Sequence, residues 1–224
     1  MNDTIVNVIS LYKEGKRLTN FLHLINLLQY ENYNISVVLQ NYPQDIIDVL
    51  KSRNIDVLTC KAVNPAKARN TFLKKYYDSN YEYFIFLDDD VLLDAKLLTK
   101  EQDTLLYLKS HIRLASKDVA IISLEMNDFV YRYKDHLQER KLDFWATAFS
   151  MKNLNKLQNI KLYFDESLDA LEERQFAVDL FNLNLFVEWR YDATFKQLFN
   201  YSTYGNKLQR TEIFRKSMQR IGKS

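Results

Sequence analysis

Four short apolar, β-branched runs restrict what this chain can fold into: residues 4–11 (TIVNVISL), 35–39 (ISVVL), 55–60 (IDVLTC) and 83–87 (YFIFL). Each reads as a buried strand. Between them, apolar residues recur at helical spacing. Leu18, Phe21, Leu22, Ile25 and Leu28 predict a helix over 15–30. Ile46, Ile47, Val49 and Leu50 predict a short one over 44–53. Asn64 and Pro65 supply an N-cap and a first-turn proline for a third, ending near Tyr77. Strand and helix in alternation predict an α/β fold, a mostly parallel sheet with helices on both faces. Further on, residues 94–115 and 169–183 read as helices, and 119–124, 143–151 and 185–189 as strands.

The fourth run delivers three adjacent acids, Asp88, Asp89 and Asp90. Like charges at the end of a buried strand are costly without a compensating cation, basic group or water. The carboxyl ends of strands in an open parallel sheet are also where ligands bind. Alternate residues of an extended segment point the same way, so Asp88 and Asp90 can converge on one hard divalent cation.

Two further features carry charge onto apolar helix faces. Arg69 shares a face with Ala66, Phe72, Leu73 and Tyr76, and a guanidinium there needs an anionic partner, the acidic triplet or a phosphate. Glu173 shares a face with Phe176, Ala177 and Leu180, whereas Glu172 leans toward Gln175 and Asp179. The spacing therefore predicts a core-facing Glu173, suited to a general base, and a solvated Glu172.

In this order the motifs resemble the GT-A fold glycosyltransferases, nearest the large inverting family of bacterial and phage nucleotide-sugar transferases. The residues that carry the resemblance are the 6–11 strand, Ala68-Arg69-Asn70, Asp88-Asp89-Asp90 and Glu172-Glu173, over roughly residues 4–190 of the chain. The resemblance implies a GT-A-like (Rossmann-like) domain over 1–200. It also implies Mn²⁺ or Mg²⁺ on Asp88 and Asp90, and a nucleoside diphosphate sugar, UDP-sugar foremost, as donor. Glu173, with Glu172 beside it, would deprotonate the acceptor hydroxyl. Arg69 would contact the nucleotide or the carboxylates. Asn41 would meet the base of the nucleotide, Ser10 and Asp88 would lie on the donor side, and Trp145 would stack in the sugar pocket. The chain departs from the family after the second strand, where Gln40-Asn41-Tyr42-Pro43 stands in place of Asp-Gly-Ser. His23, His111 and His136 all precede the acidic helix, so a metal site would be completed by Asp192, by water or not at all. A processive polymerase motif is missing, which favours transfer of a single sugar.

Composition excludes several classes. Glycine occurs only at 15, 205 and 222, too few for a P-loop or a dinucleotide fingerprint. Cys60 is the sole cysteine, which excludes a disulfide framework and points to a reducing, cytoplasmic compartment. The apolar runs are far shorter than the roughly 20 residues of a membrane span. Residues 201–224 carry six basic side chains against one acid, a net +5, while the rest of the chain is net −3. A basic amphipathic helix over 206–221 is expected as an extension, able to meet an acceptor glycan, a phosphate-containing polymer, DNA or an anionic surface. Two other readings compete. Asp88 and Asp90 also resemble the nucleophile motif of haloacid-dehalogenase-type phosphatases. The basic tail alone would suit a non-catalytic nucleic-acid or surface-binding module.

Overall fold

A computed structural model describes residues 3–61, 64–92, 104–126, 144, 147–168 and 171–197, together with positions 216, 217, 219 and 221. The amino-terminal half alternates as the pattern predicts: β1 (Thr4–Leu11), α1 (Lys16–Tyr30), β2 (Asn34–Gln40), α2 (Gln44–Ser52), β3 (Asp56–Cys60), α3 (Pro65–Tyr76) and β4 (Tyr83–Asp88). Asn64 caps α3, its side chain accepting from the Lys67 amide, with Pro65 at the first helical position. The remainder comprises β5 (Val91–Leu92), α4 (Thr104–Leu114), β6 (Val119–Met126), β7 (Ala148–Lys152), α5 (Leu154–Gln158), α6 (Glu172–Asn182) and β8 (Phe186–Gln197).

The eight strands lie in the order β3-β2-β1-β4-β7-β6-β8-β5. Strands β3, β2, β1 and β4 pair in parallel, as do β6 and β8. Antiparallel β7 joins the two sets, and β5 lies antiparallel on β8. The chain leaves β1 toward β2 on one side and returns as β4 on the other. That reversal opens a crevice at the carboxyl ends of β1 and β4, where ligands bind in open α/β sheets.

Side-chain alternation along β1 divides the core into two layers. Val6 and Val8 pack with Phe21, Ile25, Leu28 and Leu50 beneath α1 and α2. Ile5 and Ile9 face a layer dense in aromatic rings, with Phe72, Phe84, Phe86, Phe149, Phe164 and Phe176. There Phe86 stacks on Phe149 with ring centroids 4.7 Å apart, and Phe164 on Phe176 at 4.2 Å. This is where the chain spends much of its phenylalanine.

Three elements differ from the sequence expectation. The strand expected over 143–151 starts at Ala148, and Phe144 instead inserts its ring into the aromatic layer. The last strand extends to Gln197 because β6 offers a partner along it, across a register shift between Leu124 and Glu125. The short helix α5 was not expected. It starts where the Asn153 side chain accepts from the Asn155 amide and ends on Asn159 in the left-handed region. Of the helix expected over 94–115, the described part is Thr104–Leu114. Apart from the few positions named, the basic helix expected over 206–221 lies outside the described residues.

Candidate active site

The three acids at the end of β4 face different surroundings. Asp89 is fully buried on the α1 side of the sheet. Arg17 Nε donates to both of its carboxylate oxygens at 2.9 Å, and Arg17 Nη2 lies 2.6 Å from Oδ1. Ser10 Oγ donates to Asp89 Oδ2 at 2.5 Å and lies 2.5 Å from the Tyr42 hydroxyl. Asn20 Nδ2 donates to the Asp89 carbonyl at 2.6 Å. Burial by itself would lower the Arg17 pKa. The hydrogen bonds and charge of Asp89, with Asp90 and Asp88 behind it, raise it instead.

Asp88 points to the α3 side, and its side chain keeps 27% of its exposure. Desolvation pushes its carboxyl up to about 8. The Arg69 charge opposes that rise, and the Asp90 and Asp89 charges add to it. Asp90 is 5% exposed. Two carboxylates at one strand end, with Arg69 on one of them, supply the oxygen ligands that suit a hard divalent cation. Among the described residues no group of three or more His, Cys, Asp or Glu side chains comes together. Substrate phosphate and water would have to fill the remaining positions of such a cation, as is usual for Mg²⁺.

Arg69 links this strand end to the acidic helix. Its side chain is 3% exposed, and Nη1 donates to Glu172 Oε1 at 2.7 Å while Nη2 reaches Asp88 Oδ1 at 3.5 Å. The guanidinium carbon sits 5.6 Å from the Phe164 ring centroid, within cation–π range. Arg69 thus meets two carboxylates, Asp88 of the acidic triplet and Glu172 of α6. Asn70, next on α3, holds the segment between α5 and α6. Its amide group donates to the Phe164 carbonyl at 2.8 Å and accepts from the Phe164 amide at 2.8 Å, pairing like a strand neighbour.

The burial expected for the two glutamates is reversed. Glu172 is the buried one, at 4% exposure, and Glu173 is half-buried. Both flank the apolar arc set by Phe176 and Leu180, so helical periodicity does not separate them. The countercharge of Arg69 does, by making burial of Glu172 affordable in free energy. Glu173, one residue along the first turn, is only partly buried.

The other expected residues distribute as follows. Ser10 is 1% exposed and serves Asp89 rather than lining an open donor surface. Asn41 is exposed immediately beyond β2, with φ 57°. Trp145 and the side chain of Asp192 lie outside the described residues. The polar cleft of about 330 Å³ between Gln29, Asn34, Arg53, Asp56 and Tyr81 opens at the amino ends of β2 and β3, the opposite end of the strands from the acidic triplet. Arg17 was missed by the sequence reading. Its signal was a basic pair, Lys16-Arg17, in the first turn of a helix lacking acids there, where the helix dipole disfavours cations.

Comparison with known proteins places this arrangement. The profile of glycosyl transferase family 2 matches residues 7–162. No curated protein matches the chain by sequence. Among solved structures, glucosyl-3-phosphoglycerate synthase from Mycobacterium tuberculosis, in complex with Mn²⁺, UDP-glucose and phosphoglyceric acid, is similar with a TM-score of 0.60 at 11% identity, covering 98% of this chain and 79% of that one. The same enzyme with Mg²⁺ and UDP gives 0.59 at 11% identity, with the same coverage of 98% and 79%. The 4-diphosphocytidyl-2C-methyl-D-erythritol synthase from Anaerococcus prevotii gives 0.50 at 13% identity, covering 98% and 97%. The likenesses carry the GT-A-type fold, and a fold shared by synthases of different products does not by itself choose a reaction.

Proposed function

The chain belongs to glycosyl transferase family 2, and from that premise we propose that it moves one sugar from a nucleoside diphosphate donor, UDP-sugar foremost, to an acceptor hydroxyl with inversion at the anomeric carbon. One observation carries the reading: Asp88 and Asp90 stand at the β1/β4 crevice, and Arg69 ties Asp88 to the first turn of α6. Asp88 and Asp90 would hold Mn²⁺ or Mg²⁺. The cation, when bound, supplies positive charge against the diphosphate as it leaves. Asn41, exposed beyond β2, offers a carboxamide to the nucleotide base. Glu173 accepts the proton of the acceptor hydroxyl as its oxygen bonds to the anomeric carbon, and the diphosphate departs with the electron pair of the broken bond. Arg69 and Glu172 neutralise one another, fixing α6 against β4 and leaving Glu173 as the half-exposed acid.

Support for the acceptor rests on charge. The net +5 of residues 201–224 suits an acceptor that is a glycan or polymer bearing phosphate, with DNA as one such polyanion. We treat 1–200 as the catalytic domain and 201–224 as its acceptor-facing extension. No helix of the described residues is long and apolar enough to cross a membrane. The lone Cys60 favours a reducing compartment such as the cytoplasm. The phosphatase alternative loses ground because its nucleophile motif belongs on a first strand, whereas Asp88 ends the fourth. Calorimetry with UDP, with and without Mn²⁺, is the direct test, followed by NMR of the product anomer. Glu173→Gln is expected to keep UDP binding and lose transfer by ~10²–10⁴-fold. Metal-independent UDP binding that survives Asp90→Ala, or a retained anomer, overturns the reading.

A further inference from the structure

Three adjacent carboxylates at one strand end would present a charge of −3, yet the fold spends one of them internally. Asp89 has no exposed surface and takes three guanidinium contacts at 2.6–2.9 Å from Arg17. Ser10 and Asn20 complete its shell from β1 and α1. Arg17 itself keeps 18% of its side-chain exposure. It stands within electrostatic reach of Asp88 and Asp90 as well as of Asp89. A permanently charged group therefore sits at the edge of the acidic site, its charge matched by a buried carboxylate one residue from each candidate ligand.

Resting on the donor reading above, we propose that the Arg17–Asp89 ion pair is a positioning element that sets the charge balance of the site. It restricts the ligand set to Asp88 and Asp90, and it adds no net charge at the edge of the site where a cation and a diphosphate would both bind. A cation and a diphosphate make opposite demands on such a site. More negative charge favours the metal alone, and more positive charge favours the nucleotide alone. A neutral pair leaves both able to bind, and neither forms a trap that excludes the other.

This predicts effects of opposite sign, which a purely structural ion pair cannot give. Asp89→Asn keeps shape and hydrogen-bonding capacity while leaving Arg17 charged. The site gains one positive charge. Calorimetry on the full chain should find MnCl₂ alone bound ~3- to 10-fold more weakly, and UDP in EDTA bound ~3- to 10-fold more tightly, as expected for a unit charge acting across a partly solvated site. The double variant Arg17→Gln/Asp89→Asn restores neutrality, so both affinities should return to within about twofold of wild type. If Asp89→Asn fails to fold, Arg17→Gln, which removes the positive charge instead, carries the test with the signs exchanged: MnCl₂ alone bound ~3- to 10-fold more tightly and UDP in EDTA ~3- to 10-fold more weakly. Variants in which both affinities fall together, or a double variant that loses tenfold in either, overturn the proposal. Wild-type protein that binds neither Mn²⁺ nor UDP overturns the donor reading and this proposal with it. Wild type that binds both while the variants shift in parallel overturns this proposal alone.

Discussion

Replacing Arg69 with methionine is the sharpest probe of how the two halves of the site are joined. The substitution keeps an unbranched side chain of suitable length against Phe164 while removing the charge. Glu172, 5% exposed at its side chain, would then be left without the guanidinium now 2.7 Å away. Breaking one partner of a buried pair costs about 3–5 kcal/mol, because the remaining charge stays desolvated. A Coulomb estimate of about 4 kcal/mol at 4 Å and an effective dielectric of 20 falls in the same range. For a chain of this size, that is a fall in Tm of about 6–20 °C. The assay is urea and thermal unfolding followed by circular dichroism, on Arg69→Met, Glu172→Gln and the double variant. The double variant should recover most of the loss, giving a coupling energy of at least ~2 kcal/mol. Additive effects of the two single changes would refute the reasoning. They would mean that Arg69 acts through packing on Phe164 and not through its pairing with Glu172.

Other expectations follow from the same geometry. Asn70→Ala strands the amide and carbonyl of Phe164 in the core and should cost about 2–4 kcal/mol, read by urea unfolding. Gly15→Ala meets no atom within 4 Å, so its cost should be the backbone strain of φ 81° alone, about 1–3 kcal/mol by the same measurement. Asp88, ordinarily at 3.8, is raised to about 8 in the fold. The folded protein thus keeps a proton that the unfolded chain has lost, and this group's contribution to stability falls as pH rises from about 4 to about 8. Mn²⁺ requires the carboxylate, so its affinity should climb over that range with release of a proton, measurable by calorimetry in buffers of different ionisation enthalpy. Asp88→Asn should flatten both profiles.

Much of this protein was legible without coordinates. The β-branched runs and the helical spacing between them determine the first seven elements, because each buries its own apolar face and the periods of 2 and 3.6 are local properties of the chain. The cap at Asn64-Pro65 and the placement of the acidic triplet at a strand end are likewise written in neighbouring residues. What the tertiary structure decided is partnership. Asp88, Asp89 and Asp90 are equivalent in sequence. They become a half-exposed acid, a buried counter-ion and a near-buried acid only because Arg69 arrives from α3 and Arg17 from α1. Glu172 and Glu173 share one apolar arc, and burial falls to Glu172 because Arg69, 103 residues earlier, meets it across the packed helices. β7 enters antiparallel between β4 and β6 because backbone pairing across the sheet, and not the composition of its own residues, gives a strand its neighbours. Charge compensation and strand pairing are satisfied through space, between residues whose separation in sequence carries no trace of the contact.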